Sequence, residues 1–235
     1  MHINAMNWAQ VEERVKHDDR CILPIGSVEQ HARLSLGTDM ILAEKVSLDA
    51  AAPLGVPVFP VVPYGLASSF EDFPGTVSFS LRTYIGVIED ILDSIYRSGF
   101  RRILIVNGHG GNTPAGTVVS EWLNRNRDAS VKMHDWWRAP KTMGKVLEID
   151  NRASHASWME NFPWTRLEGV AQPDHAVERA DYAGMARVDA GRKRAMLEAT
   201  EGNYQGLFVR PDEDMLAIWD VAVRETRFEL ENGWH

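Results

Sequence analysis

Residues 80–112 read SLRTYIGVIEDILDSIYRSGFRRILIVNGHGGN, and the order of their signals decides the fold class. Leu81, Ile85, Ile88, Leu92 and Ile95 recur at the spacing of one helical face, with Ser80 placed to cap the start and Gly99 to end it. Residues 102–106 follow at once as a short Ile/Val-rich run closed by glycine, which is how a buried parallel strand reads. Working outward, residues 21–25 and 56–62 are two more such runs. Thr113-Pro114 opens the next helix, with Thr113 as N-cap and Pro114 at the first helical position, and Val118, Val119, Trp122 and Leu123 on its apolar face. Residues 130–136 read as a weaker strand and 137–175 as a loop-rich excursion. PDEDMLAIWDVAVRETRFELEN, acidic at its start, closes the chain as a helix with Leu216, Trp219, Val223 and Phe228 as its stripe. Strands alternating with helices predict an α/β fold around a largely parallel sheet. With no repeat or linker to divide it, 1–235 is expected to be a single domain.

Composition narrows the function classes. Against 25 Lys and Arg stand 33 Asp and Glu, a formal charge of −8 with no basic cluster, so nucleic acid is not an expected partner. No apolar run approaches the roughly 18 residues a membrane helix needs. Cys21 is the only cysteine and cannot form an internal disulfide, and MHINAMNWAQVEERVKHDD lacks the basic, apolar and small-residue order of a signal peptide. A reducing, cytoplasmic home is expected.

The chemistry-bearing residues crowd into IGSVEQHARLSLGTD, residues 25–39, where Glu29, His31 and Asp39 fall within eleven positions after a strand. Open α/β sheets place ligand crevices at such strand ends. One imidazole and two carboxylates suit a divalent transition metal, although surface loops also carry such residues. The strand at 102–106 ends in NGHGGN, delivering His109 to the same sheet edge. A glycine-rich turn before a helix can cradle phosphate. Here the Lys-Ser/Thr pair of a P-loop is absent and GHGGN does not match GxGxxG, so convergence of metal-capable side chains is the stronger reading.

IGSVEQHARLSLGTD, FEDFPGTVSFS and IVNGHGGN, in this order and spacing, resemble the creatininase family of metal-dependent amidohydrolases. The resemblance is most specific over residues 21–112 and continues more loosely through SHASWMEN, GLFVRPDED and the last helix. It implies a three-layer α/β/α sandwich, a homo-oligomer such as a hexamer, and one or two ions of zinc, manganese or iron. By position, Glu29, Asp39 and His109 are implied as ligands of one ion, and His31 with the shared Asp39 as ligands of the second. Creatininase itself carries a further Glu two residues after the NGH histidine, where this chain has Gly111. Many relatives use the last Glu of an HAGExET block instead; SHASWMEN, laid on that block, offers Glu160 as the fifth ligand and puts Trp158 where the first Glu stands. Relatives read EQHGxHLPLGTD where this chain has the shorter EQHARLSLGTD, with Ala32 for Gly, so the pocket wall and the substrate are not carried over.

Ions so placed lower the pKa of water toward about 7 and polarise a carbonyl. His155, from the same block, is the candidate proton donor. Trp136, Trp137, Trp158 and Glu71 are the candidate contacts to a small-molecule substrate, while His2, His17, His134, His175 and His235 read mostly as surface. The expected activity is hydrolysis of the C–N bond of a small cyclic amide or formamide. Cleavage of a ring C–C bond in a cyclic polyol diketone, such as an oxidised inositol of the 3-dehydro-scyllo-inosose type, is the alternative. A non-catalytic family member is a third reading, which four intact ligand positions oppose.

Overall fold

The computed structural model describes residues 1–234; His235 lies outside the described residues. Along the chain run α1 (Trp8–Val15), β1 (Arg20–Ile25), α2 (Thr38–Ala51), α3 (Leu81–Arg97), β2 (Arg102–Asn107), α4 (Ala115–Arg125), β3 (Ser130–Asp135), α5 (Pro140–Ile149), α6 (Tyr182–Met185), α7 (Ala190–Leu197) and α8 (Asp212–Glu231). The strands form a parallel sheet in the order β1-β2-β3, with Ile25 opposite Asn107 and Asn107 opposite Asp135. Side-chain alternation splits the core into two layers. Cys21, Leu23, Ile25, Ile103 and Ile105 pack against Tyr84, Ile88, Leu92 and Ile95 of α3 and Val118 and Trp122 of α4. Ile22, Leu104 and Val106 face Leu42 and Val46 of α2, Val146 of α5, and Met215, Ile218 and Trp219 of α8. Helices thus cover both faces of the sheet, giving the α/β/α sandwich.

The helix read between Ser80 and Gly99 is α3: the Ser80 hydroxyl accepts from the Thr83 amide at 3.3 Å, and Gly99 sits at φ +99°. Residues 56–62 run beside β1 but form bridges rather than a continuous strand. The Phe59 amide donates to Ile22 O and the Val62 amide to Pro24 O, so three residues on this segment match two on β1. Pro57 and Pro60 offer no N–H to a ladder, and the extra residue is taken up as a bulge.

Four other expectations are corrected. Helix α4 begins at Ala115 with Pro114 in the cap position, because the Thr113 hydroxyl donates to Gly110 O at 2.7 Å instead of accepting an amide. The excursion at 137–175 contains α5, whose first amides are capped from far along the chain: Glu225 accepts from the Lys141 and Thr142 amides at 2.9 and 2.7 Å. The buried face of α8 is Met215, Ile218, Trp219, Ala222 and Leu230, while Leu216 and Phe228 point outward. His134 is buried, with Nε2 3.1 Å from Thr226 Oγ1, whereas His17 and His175 are exposed.

Candidate metal centre

Adjacent strand ends and the first turn of α2 meet at one point. The loop after β1 carries Glu29 and His31, α2 carries Asp39, and His109 stands two residues beyond β2. Gly108 makes the approach possible, since a Cβ there would lie 2.3 Å from Asp39 O. Asn112 ties the surrounding loops together, donating to Gly26 O at 3.0 Å and to Asn107 Oδ1 at 3.2 Å while accepting from the Leu66 amide at 3.2 Å.

The four side chains are almost entirely buried, with Glu29 and His31 each 1% exposed. Asp39 lies at their centre: Oδ1 is 3.0 Å from His31 Nε2 and Oδ2 is 2.9 Å from His109 Nδ1. His109 Nδ1 is also 3.4 Å from Glu29 Oε1. Outer partners orient each group, as they do for metal ligands. Leu66 O lies 3.0 Å from His109 Nε2, Glu29 O lies 3.2 Å from His31 Nδ1, and Ser27 Oγ donates to Asp39 Oδ2 at 2.7 Å. Each imidazole therefore turns its other nitrogen toward the carboxylates.

Burial opposes charge on both imidazoles. The surrounding carboxylates outweigh it, raising His31 to about 10 through Asp39 and Glu160, and His109 to about 9 through Glu29 and Asp39. Burial pushes Asp39 up, but His31 and His109 together hold it well below the usual carboxylate range. Burial raises Glu29 and Glu160 to about 7. Two polar atoms stay without a hydrogen bond: Glu29 Oε2, and His31 Nε2, whose approach to Asp39 is too poorly aligned to count as one. Buried polar atoms left unmatched at the centre of a nitrogen and oxygen donor set are what a cation would satisfy. Three overlapping triads, Glu29 with Asp39 and His109, His31 with Asp39 and Glu160, and Glu29 with His31 and His155, each bring their ligand atoms within 4.8 Å of one another. The residues fit one or two divalent ions.

The fifth candidate ligand, a third carboxylate, arrives from above. Ala156 takes a left-handed φ of +57°, which aims its amide at Glu160 Oε2, 2.6 Å away, and that oxygen lies 3.8 Å from His31 Nε2. Position 111 cannot supply such a ligand, because any Cβ there would stand 2.1 Å from Leu66 O and 2.4 Å from His109 Nε2. His155 shares the segment with Glu160. Its ring stacks on Phe70 at 4.7 Å, its Nε2 is 2.8 Å from Gln30 Nε2, and its Nδ1 is 3.8 Å from Glu29 Oε1. Burial and the nearby His31 charge hold His155 well below its ordinary pKa, so it is neutral.

Above the cluster opens a cavity of about 410 Å³. Trp137 lines it, and its buried Nε1 has no hydrogen-bond partner. Three expected substrate contacts are corrected. Trp136 packs in the core against Trp219 at 5.7 Å, and Trp158 is fully buried with its Nε1 donating to Arg152 O. Glu71 is exposed and does not reach the cavity. Phe70, Lys193 and Tyr204 line it instead. Sequence reading missed all three: AGRKRAML reads as a solvated basic helix, and only the docking of Leu197 against Phe70 turns Lys193 inward.

Residues 4–184 match the creatininase family, described as creatinine amidohydrolase. The chain belongs to the creatininase family. Among its creatininase-family relatives are creatinine amidohydrolase of Pseudomonas putida, 33% identical over 47% of this chain and 45% of that protein, and 3-dehydro-scyllo-inosose hydrolase of Thermotoga maritima, 29% identical over 47% and 36%. Mycofactocin precursor peptide peptidase of Mycolicibacterium smegmatis is 38% identical over 46% and 47%. The chain thus matches less than half the length of each. A creatininase crystal structure superposes with a TM-score of 0.78 at 23% identity, covering 97% of this chain and 95% of that one. A manganese creatininase gives 0.80 at 22% over 98% and 97%. At these identities the structural likeness is one of fold.

Proposed function

We propose that 1–235 form a single creatininase-like hydrolase domain that cleaves the C–N bond of a small cyclic amide or formamide. The observation that carries this reading is Asp39, which two triads share and which lines one cavity together with Glu29, His109 and Glu160. Glu29, Asp39 and His109 would hold one ion of zinc, manganese or iron, and His31, Asp39 and Glu160 the other. Divalent ions so held activate water near neutral pH and polarise a carbonyl.

The chain's own groups do the rest. Ser27 fixes the shared carboxylate, and Leu66 O fixes the tautomer of His109. The neutral imidazole of His155 takes up the proton released as water attacks and returns it to the departing nitrogen. Phe70 and Tyr204 flank His155 at 4.7 and 5.1 Å, holding its ring and screening it from bulk water.

Elemental analysis of protein purified without chelator, followed by a screen of cyclic amides and formamides against inososes, tests the proposal. At least one transition ion per chain and turnover confined to amides or formamides are expected. Full activity without metal overturns the site, and turnover of inososes alone overturns the bond.

We propose a homo-oligomer in the cytoplasm. Supporting it are Trp8, 79% exposed beside a groove lined by Val11, Val15 and Phe59, and the buried, unpaired thiol of Cys21. Light scattering on the eluting protein tests the assembly.

A further inference from the structure

Lys193 is the only lysine or arginine that lines the cavity among the described residues. It is half-buried, and its ammonium lies 4.4 Å from the Phe70 ring and 5.8 Å from that of Tyr204. Among the described residues no carboxylate comes within 4 Å of Nζ. Burial lowers its pKa, and the one acid whose field opposes that is Glu29. Glu29 is also a proposed metal ligand, so ions at the site would take up its charge and leave the ammonium uncompensated. The cavity's other acidic side chains, Asp39 and Glu160, are proposed ligands as well. A half-buried ammonium beside two aromatic faces, with the three acids that line the cavity engaged, is placed to receive an anion.

We propose that Lys193 is a specificity-determining residue that selects substrates carrying a carboxylate next to the amide or formamide to be cleaved. This rests on the hydrolase reading above and deepens it. The ammonium would receive the carboxylate while the ring faces of Phe70 and Tyr204 receive the apolar body, leaving the carbonyl directed toward Asp39 and its neighbours.

The test uses a matched pair of small lactams, 5-oxoproline and its neutral carboxamide, titrated calorimetrically into the metal-loaded protein. Metal content is measured in the same samples. Wild type should bind the carboxylate form about 10- to 100-fold more tightly than the carboxamide, the range for a charge-assisted contact in a shielded site. Lys193→Gln, with Lys193→Met as a second neutral variant, should reduce that ratio to about one with metal content unchanged; Lys193→Arg should keep most of it. Equal affinities in wild type, no binding of oxoproline at about 10 mM, or a preference that survives both neutral variants overturns the proposal. Wild type purified without any bound metal that still prefers the carboxylate form, with the preference lost in both neutral variants, would instead count against the hydrolase reading and leave the lysine standing.

Discussion

The floor and the roof of the cavity are built differently. Floor residues Glu29, His31, Asp39 and His109 stand on strand ends and the first turn of α2, are nearly inaccessible, and sit over two large apolar layers. Roof residues His155 and Glu160 come from irregular chain that is anchored in a large apolar layer through Trp158 and Met159, whereas Lys193 comes from a short helix, is half-buried, and rests on a small cluster around Phe70, Met185 and Leu197. A rigid floor can hold ions, whereas the lightly anchored helix that carries Lys193 can change at little cost in stability. The difference suggests that metal chemistry is carried by the floor together with Glu160, and substrate choice by Lys193 and the aromatic rings beside it.

Substitution on each side tests that division most severely. Asp39→Ala removes the carboxylate common to the two proposed ion sites and should lose both ions together, with activity falling about 10³-fold or more. Glu160→Ala should lose one ion and leave the Glu29, Asp39 and His109 triad loaded. Metal analysis beside circular dichroism reads both. Retention of one full equivalent in Asp39→Ala would break the comparison.

What sequence could reveal follows the same line. EQHARLSLGTD and NGHGGN are contiguous because parallel strand ends gather neighbouring residues at one edge, so the floor was legible as two motifs. Helix α3 was legible because its cap, face and stop are all local. The roof depends on contacts far apart in sequence: Lys193 is placed by packing on Phe70, and Arg33 is held by Glu201 through a bidentate ion pair at 2.6 and 2.8 Å. Tryptophans misled for a related reason. Trp136 and Trp137 are neighbours in the chain, yet one faces Trp219 in the core and the other faces the cavity, and composition does not reveal which.

That pair gives the next test. Trp136→Ala should open a core cavity worth about 3–5 kcal/mol and lower Tm by about 6–20 °C. Trp137→Ala should shift Tm far less and act on KM. Matching Tm losses would mean that the cavity wall is as structural as the core.

Acidity separates the ion-free floor from the loaded one. His31 and His109 are raised to about 10 and about 9, and Glu29 and Glu160 to about 7, so the folded ion-free protein binds more protons than the unfolded chain. Its stability is therefore lost as pH rises, through the carboxyls between about 4.5 and 7 and through the imidazoles between about 6.5 and 10. Ion binding needs the same groups deprotonated, so loaded protein gains as pH rises. The Tm gap between loaded and chelator-treated protein should widen from pH 6 to 9, and loading at pH 7 should release about two to three protons per chain. A gap that narrows over that range would mean that these side chains are not the ligands.

The smallest effect lies where floor meets roof. Ala32 holds φ +50°, a left-handed conformation that strains a residue bearing a Cβ by about 1–2 kcal/mol, and its amide donates to Gln30 Oε1 at 3.1 Å. That bond fixes the Gln30 amide so that its Nε2 faces His155. Ala32→Gly relieves the strain but gives the unfolded chain more freedom, an opposing loss of about 0.5–1 kcal/mol. The net should be a gain of about 0.5–1 kcal/mol in urea unfolding, with the Gln30 contact and metal content unchanged. Destabilisation by the glycine would show that the Ala32 methyl is held by packing, and that this junction belongs with the floor.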